Sequence, residues 1–189
     1  MKRKVVALTG VIGSGKSAVA GILREMGYKT VDCDLLAKQV ATSPDVIENV
    51  EQLLGSKSVV KGQLDRKYIR EVVFADENLL SKYQQIFFDG VKTLLAQNLA
   101  DLQQEKAVFV EIPVLDAFDF HFDEVWRIES SEQACVSRVT ARDGVSADSV
   151  HATLARQKTY ESTRVIHNNG NFYDLTEAVK VALTKSQLV

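Results

Sequence analysis

Short apolar runs alternate with helically spaced apolar positions along this chain. Val5 to Thr9 (VVALT), Lys29 to Asp32 (KTVD) and Ala107 to Ile112 (AVFVEI) read as strands. Glu124 to Ile128 (EVWRI) and Arg164 to His167 (RVIH) are weaker candidates. Continuous apolar runs suit strands buried on both faces, and their alternation with helices predicts a doubly wound α/β fold around a parallel sheet. Ser17 to Met26 reads as the first helix. From 33 to 106 no strand pattern occurs; Leu64 to Phe74 and Leu79 to Leu102 instead place apolar residues at helical spacing. The stretch is too long for a plain crossover and predicts a helical insertion on one side of the sheet. Glu132 to Tyr160 is helical again, with a break at Asp143-Gly144. No internal repeat or low-complexity tract interrupts the pattern, and neither Pro44 nor Pro113 marks a linker.

Composition narrows the class. The chain has 189 residues, 46% hydrophobic and 25% charged, the balance of one globular domain able to build a core without staples. With 23 basic against 25 acidic residues the net charge is -2, which predicts neither nucleic-acid nor anionic-membrane binding. Two cysteines, Cys33 and Cys135, and three scattered histidines form no metal-ligand spacing. The amino terminus lacks the apolar length of a signal peptide, and no run approaches a membrane span. A cytoplasmic protein with free thiols is expected, as a monomer or weak homo-oligomer.

The informative chemistry follows the first strand. Gly10-Val11-Ile12-Gly13-Ser14-Gly15-Lys16-Ser17 matches G-x-x-x-x-G-K-[ST], after a predicted strand and before a predicted helix. Glycines let successive N–H groups turn inward, and the helix amino terminus adds partial positive charge. Such a loop binds the phosphates of a nucleoside triphosphate; Lys16 would reach the β- and γ-phosphates and Ser17 would ligate Mg²⁺.

A GTPase would show an NKxD-type base reader, and Asn168-Asn169-Gly170-Asn171 is not one. A motor or helicase would need a larger domain. A small kinase remains, and it needs an acceptor-orienting carboxylate, a basic acceptor pocket and an arginine-bearing lid. Asp32 and Asp34, in Val31-Asp32-Cys33-Asp34, follow the second strand at the carboxyl edge where such folds bind ligands. A carboxylate falls on the order of eight pKa units short of removing a sugar hydroxyl proton in the ground state, so its larger task is orientation. Arg138 and Arg142 are four apart and share a helical face, as do Arg66 and Arg70. On a lid, the first pair could neutralise charge on the transferred phosphoryl group; the alternative is a solvated face paired with Glu or Asp. Glu111 ends the third strand and could hold a Mg²⁺-bound water.

LTGVIGSGKSAVA, VDCD, LDRKYIREVVF, the strand ending in EIPVL, SRVTARDGVS and VIHNNG occur in one order from Val5 to about Leu183. In that order they resemble the dephospho-coenzyme A kinases. The resemblance implies a P-loop kinase fold: a five-stranded parallel sheet flanked by helices, a helical acceptor subdomain over 35–105 and a lid over 132–160. It implies transfer of the γ-phosphate of ATP to the ribose 3′-hydroxyl of dephospho-CoA, with Gly13 to Ala18 binding the ATP phosphates and Asp34 as catalytic base. Arg66 and Arg138 would hold substrate, and Arg142 would be the lid arginine. Three places depart from the family's pattern. Phe88-Asp89 stands for a His-Pro pair and Asp116-Ala117 for an aromatic-Glu pair, and the segment between Gln157 and Val165 is short, with Ser162-Thr163-Arg164 before the last strand. Other expectations compatible with the loop are a kinase for another small acceptor, such as a nucleoside or nucleotide, and a catalytically weak ATP-binding protein.

Overall fold

The structure is a computed structural model and describes residues 3–117 and 120–189. The chain divides into two compact units. The first contains Met1–Asp32, Asp101–Asp116 and His121–Val189; the second contains Cys33–Ala100 with Ala117–Phe120.

The first unit is built on five strands: β1 (Lys4–Thr9), β2 (Lys29–Asp32), β5 (Ala107–Glu111), β6 (Glu124–Glu129) and β7 (Arg164–His167). They form one sheet in the order β2-β5-β1-β6-β7, and every adjacent pair is parallel. The strand that precedes the phosphate-type loop is therefore central, flanked by β5 and β6. The buried positions of β1 and β5 run without alternation, as a sheet covered on both faces requires.

Helices α1 (Lys16–Glu25) and α8 (Phe172–Lys185) supply the apolar cover on one side. Val19, Ile22 and Leu23 from α1 and Leu175, Val179 and Leu183 from α8 join Val6, Leu8, Phe109, Trp126, Ile128 and Ile166 in a single buried cluster. Phe109 meets Trp126 and Tyr28 edge-on, with ring centroids 5.0 and 5.4 Å apart. Each such side chain contributes about 1.5–3 kcal/mol of apolar burial. Trp126 keeps its polar atom satisfied: Nε1 donates to Glu124 at 3.0 Å. Burial pushes the Glu124 carboxyl up, but hydrogen bonds from Lys4, Ser186 and Trp126 together hold it below the ordinary glutamate value. This charged knot closes the edge of the sheet opposite the loop.

Two further helices of this unit, α6 (Glu132–Asp143) and α7 (Ala147–Arg156), divide at Gly144, which caps α6 in a left-handed conformation. The break thus falls at the predicted Asp143-Gly144. The helix stops at Arg156, however, and Gln157 to Thr163 runs back to β7 as irregular chain.

The second unit is mostly helical: α2 (Cys33–Val40), α3 (Pro44–Leu54), α4 (Arg66–Val73) and α5 (Glu77–Asp101). A two-residue antiparallel hairpin, β3 (Val59–Val60) with β4 (Gln63–Leu64), interrupts it, a strand pair that the apolar pattern does not predict. Ser43 caps α3, followed by Pro44 in its first turn, and Val46, Val50 and Leu54 are its buried stripe. Asp65 caps α4 by accepting from the Lys67 and Tyr68 amides, which starts that helix at Arg66.

Candidate active site

Gly15, the N-cap of α1, has φ 102° and offers no side chain to cap the helix. By contrast Ser43, Asp65, Ser131, Ser146 and Asn171 cap α3, α4, α6, α7 and α8 with their side chains. A helix without such a cap keeps its first N–H groups for another acceptor, and an anion suits them best. Gly13 also has positive φ, 77°, and a Cβ there would lie 2.6 Å from the Cys135 carbonyl oxygen. Both glycines are therefore required by conformation and by space.

Lys16 folds over its own loop, Nζ donating to the carbonyls of Gly10 at 2.7 Å and Val11 at 3.2 Å. The Ser17 hydroxyl favours the ionised carboxylate of Glu111, the last residue of β5. Glu111 is buried, its carboxyl pushed up by desolvation and by nearby Asp32, and pulled down by Ser17, Arg24 and Lys16; the net direction is up. Arg24 Nη1 stands 3.7 Å from Glu111 Oε1. The Ser17 hydroxyl and the Glu111 and Asp32 carboxylates, which influence one another electrostatically, are hard oxygen groups of the kind a magnesium ion carried in by phosphates prefers. Among the described residues no cluster of three His, Cys, Asp or Glu side chains could cage a metal by itself.

The back of the loop is held by side chains from elsewhere. Asn168, just past β7, donates from Nδ2 to the Ser14 carbonyl at 2.8 Å. Ser130, just past β6, lies 3.0 Å from the Ser14 carbonyl and 2.8 Å from that of Asn168. Arg138 of α6 donates to Gly13 O at 3.2 Å, Ser130 Oγ at 2.8 Å and Asn168 O at 2.9 Å. The family resemblance puts Arg138 at the substrate; here its guanidinium is committed to the loop's own backbone. Arg142, on the next turn, is 64% exposed in its side chain and forms two 2.7 Å bonds to Asp143. The two arginines of one expected pair therefore differ in surroundings. Asn168 and Ser130 are not among the functional candidates the sequence offers; the only signal is Asn-Asn-Gly between a strand and a helix.

The short return segment after α7 also touches the loop. Gln157 Oε1 accepts from the Ile12 amide at 2.8 Å, while Asp116 accepts from Lys158 Nζ at 2.8 Å and Tyr160 OH at 2.7 Å. A cavity of about 220 Å³ lies here, lined by Gly10, Val11, Pro113, Asp116, Arg156 and Lys158 among others.

In the second unit, Asp34 sits in the first turn of α2. Arg66 opens α4 and lines, with Arg70, Ile69, Phe74, Tyr83 and Phe87, a groove of about 490 Å³. Burial pushes the Tyr83 hydroxyl up, partly offset by the Arg66 charge. Phe88 and Asp89 both lie within α5; Asp89 accepts from Gln85 one turn earlier.

A glycine-bent loop after the central strand of a parallel sheet, with its lysine and its serine opening the next helix and a buried carboxylate ending the neighbouring strand, defines a P-loop phosphotransferase. The sequence model of one family, dephospho-CoA kinase, matches residues 4–174. A dephospho-CoA kinase of Thermus thermophilus is 32% identical over 194 residues, covering 96% of this chain and 91% of that protein. The crystal structure of TT1252 from Thermus thermophilus superposes with a TM-score of 0.84 at 31% identity, over 98% of each chain. A dephospho-CoA kinase from Campylobacter jejuni shares the fold, with TM-score 0.68 and 22% identity over 96% of each chain. The chain belongs to the dephospho-CoA kinase family and is an ATP-dependent kinase of the phosphate-loop fold. The family's reaction is the phosphorylation of dephospho-CoA by ATP, in coenzyme A biosynthesis. Among the described residues no helix is long and apolar enough to cross a membrane.

Proposed function

We propose that this chain transfers the γ-phosphoryl group of ATP to the ribose 3′-hydroxyl of dephospho-CoA, with its own residues in the following roles. Gly13 to Ala18 hold the ATP phosphates. The observation that carries this is the amino terminus of α1, which has no side-chain cap and holds Lys16 and Ser17 in its first turn. Ser17 would hold Mg²⁺, with Glu111 and Asp32 accepting from its waters, and the ion would supply charge neutralisation at the β- and γ-phosphates.

Lys16 exchanges its two carbonyl acceptors for phosphate oxygens, a stronger partner for an ammonium than a neutral carbonyl. Asp34 orients the acceptor hydroxyl and takes its proton late, as the new P–O bond forms and the ADP oxygen leaves. Arg142 leaves Asp143 to meet negative charge on the transferring group. The groove lined by Arg66, Arg70, Tyr83 and Phe87 has the mixed cationic and apolar lining suited to a long acceptor carrying a phosphate. We assign 35–105 as the acceptor subdomain and 132–160 as the lid. A cytoplasmic enzyme, monomeric or weakly self-associating, fits a chain of this composition.

ADP release with Mg²⁺-ATP and dephospho-CoA, beside acceptor-free controls and a nucleoside panel, tests the assignment. Turnover with dephospho-CoA well above every nucleoside is the expected result. Faster turnover with a nucleoside would reassign the acceptor, and nucleotide binding without transfer to any acceptor would remove the catalytic reading.

A further inference from the structure

Three side chains, Ser130 just past β6, Arg138 on helix α6 and Asn168 just past β7, converge on the back of the phosphate loop. Asn168 and Ser130 both have donors on the Ser14 carbonyl, at 2.8 and 3.0 Å, and Arg138 Nη1 stands 3.5 Å from it. Arg138 also takes the Gly13 carbonyl and locks Ser130 and Asn168 to one another. Asn168 is 7% exposed, and a Cβ on Gly15 would collide with its amide nitrogen.

Peptide geometry converts these bonds into a direction. In a trans peptide the C=O and the following N–H point opposite ways, and the chain contains no cis bond among its described residues. Holding the Ser14 carbonyl against Asn168 and Ser130 therefore aims the Gly15 N–H away from them, toward the side on which α1 presents its uncapped N–H groups. The Ser14 N–H is not available for this, because it donates to Val11 O at 3.2 Å. Gly13 and Gly15, both at positive φ, have no intrinsic preference that would hold this arrangement.

We propose that Asn168, with Arg138 and Ser130, is a positioning brace that preorganises the phosphate loop by fixing the Ser14 carbonyl. Arg138 then acts through the loop and does not touch substrate. The hydroxyl of Ser130 has a single proton for two carbonyls, which makes it the weaker member; Asn168 and Arg138 carry most of the effect. The brace also joins the loop to the segment entering α8, so that the phosphate loop and the chain after β7 move as one body.

This inference rests on the nucleotide-binding reading of the loop, and the test separates the two. ADP affinity is measured calorimetrically for the intact chain and for Asn168→Ala, Arg138→Lys and Ser130→Ala, with circular dichroism confirming that each variant is folded. Tripolyphosphate inhibition against ATP is measured alongside. The expected result is weakening of ADP by roughly tenfold in Asn168→Ala and Arg138→Lys, and less in Ser130→Ala. Tripolyphosphate should weaken in parallel, and KM for dephospho-CoA should stay in place. Unchanged ADP affinity in folded Asn168→Ala and Arg138→Lys, whatever their melting temperature, would make these residues structural only and overturn the brace. Weaker ADP with unchanged tripolyphosphate inhibition would place Asn168 on the nucleoside and also overturn it. Failure of the unaltered chain to bind ADP would instead remove the nucleotide reading itself.

Discussion

The Ser17 hydroxyl, in the first turn of α1, pulls the Glu111 carboxyl at the end of strand β5 toward its ionised form, against the burial that raises it. This sets a conflict. Burial and Asp32 favour a protonated Glu111, whereas a cation at Ser17 would favour the ionised form.

Glu111→Gln resolves that conflict in one direction. The folded protein holds the Glu111 proton more tightly than the unfolded chain does, so the free protein loses stability as pH rises from the ordinary glutamate value through the raised one. Removing the charge should raise the melting temperature at neutral pH and flatten its pH dependence in that window. The Mg²⁺ concentration for half-maximal activity should rise about tenfold or more. The acidic limb of kcat/KM, expected above the ordinary glutamate range, should disappear. A thermal scan and a Mg²⁺ titration check both; a lower melting temperature with unchanged Mg²⁺ dependence contradicts the account.

Lys16→Ala removes an ammonium that now bridges Gly10 and Val11. Two neutral carbonyl acceptors can turn to water, so the fold should survive. Turnover should fall about 10²–10³-fold with weaker triphosphate binding, the scale for losing one preorganised charge at a transferring group. Near-normal kcat in the folded variant would remove Lys16 from the mechanism.

Asp34→Asn should lower kcat by about 10²–10⁴-fold while moving ATP affinity little, because its task concerns the acceptor hydroxyl. Asp32→Asn should act differently. Asp32 ends β2 and opposes ionisation of Glu111, so its loss should shift the acidic limb of the pH profile downward. If Asp32→Asn proves the more damaging to kcat, the roles within the pair are reversed.

The five strands of the parallel sheet were legible because each is a compact apolar run, and Arg164–His167 begins and ends where the pattern places it. The P-loop was legible because its residues are consecutive and each has a mechanical reason to be there. Helix α3 left a signal in Ser43-Pro44 and the spacing of Val46, Val50 and Leu54, a cap and stripe read only once the helix was seen. Asn171 and Asp174 likewise form a capping box that announces α8. The brace was illegible for a different reason. Asn168 and Ser14 are 154 positions apart, and Arg138 and Arg142 differ in surroundings although their spacing makes them look alike. Local periodicity says which residues share a helical face, not what lies opposite that face.

Asp116 and the shortened return segment are two departures from the family pattern that meet in space. Lys158 and Tyr160 both donate to the Asp116 carboxylate, and those bonds hold its pKa below the ordinary aspartate value. A depressed folded pKa means the clasp is intact above the unfolded value and is lost as pH falls through the folded one. The ion pair is half exposed, so its contribution to global stability is small. Its local effect is larger, because Gln157 in the same segment accepts from the Ile12 amide and Arg127 donates to the Tyr160 carbonyl. Asp116→Asn should therefore leave the melting temperature nearly unchanged yet speed amide hydrogen exchange across 157–163 and at Ile12. Acidification of the unaltered chain to below the ordinary aspartate value should do the same. Exchange in 157–163 that is indifferent to both changes would show that the segment is held by its other contacts, and that Asp116 compensates for nothing.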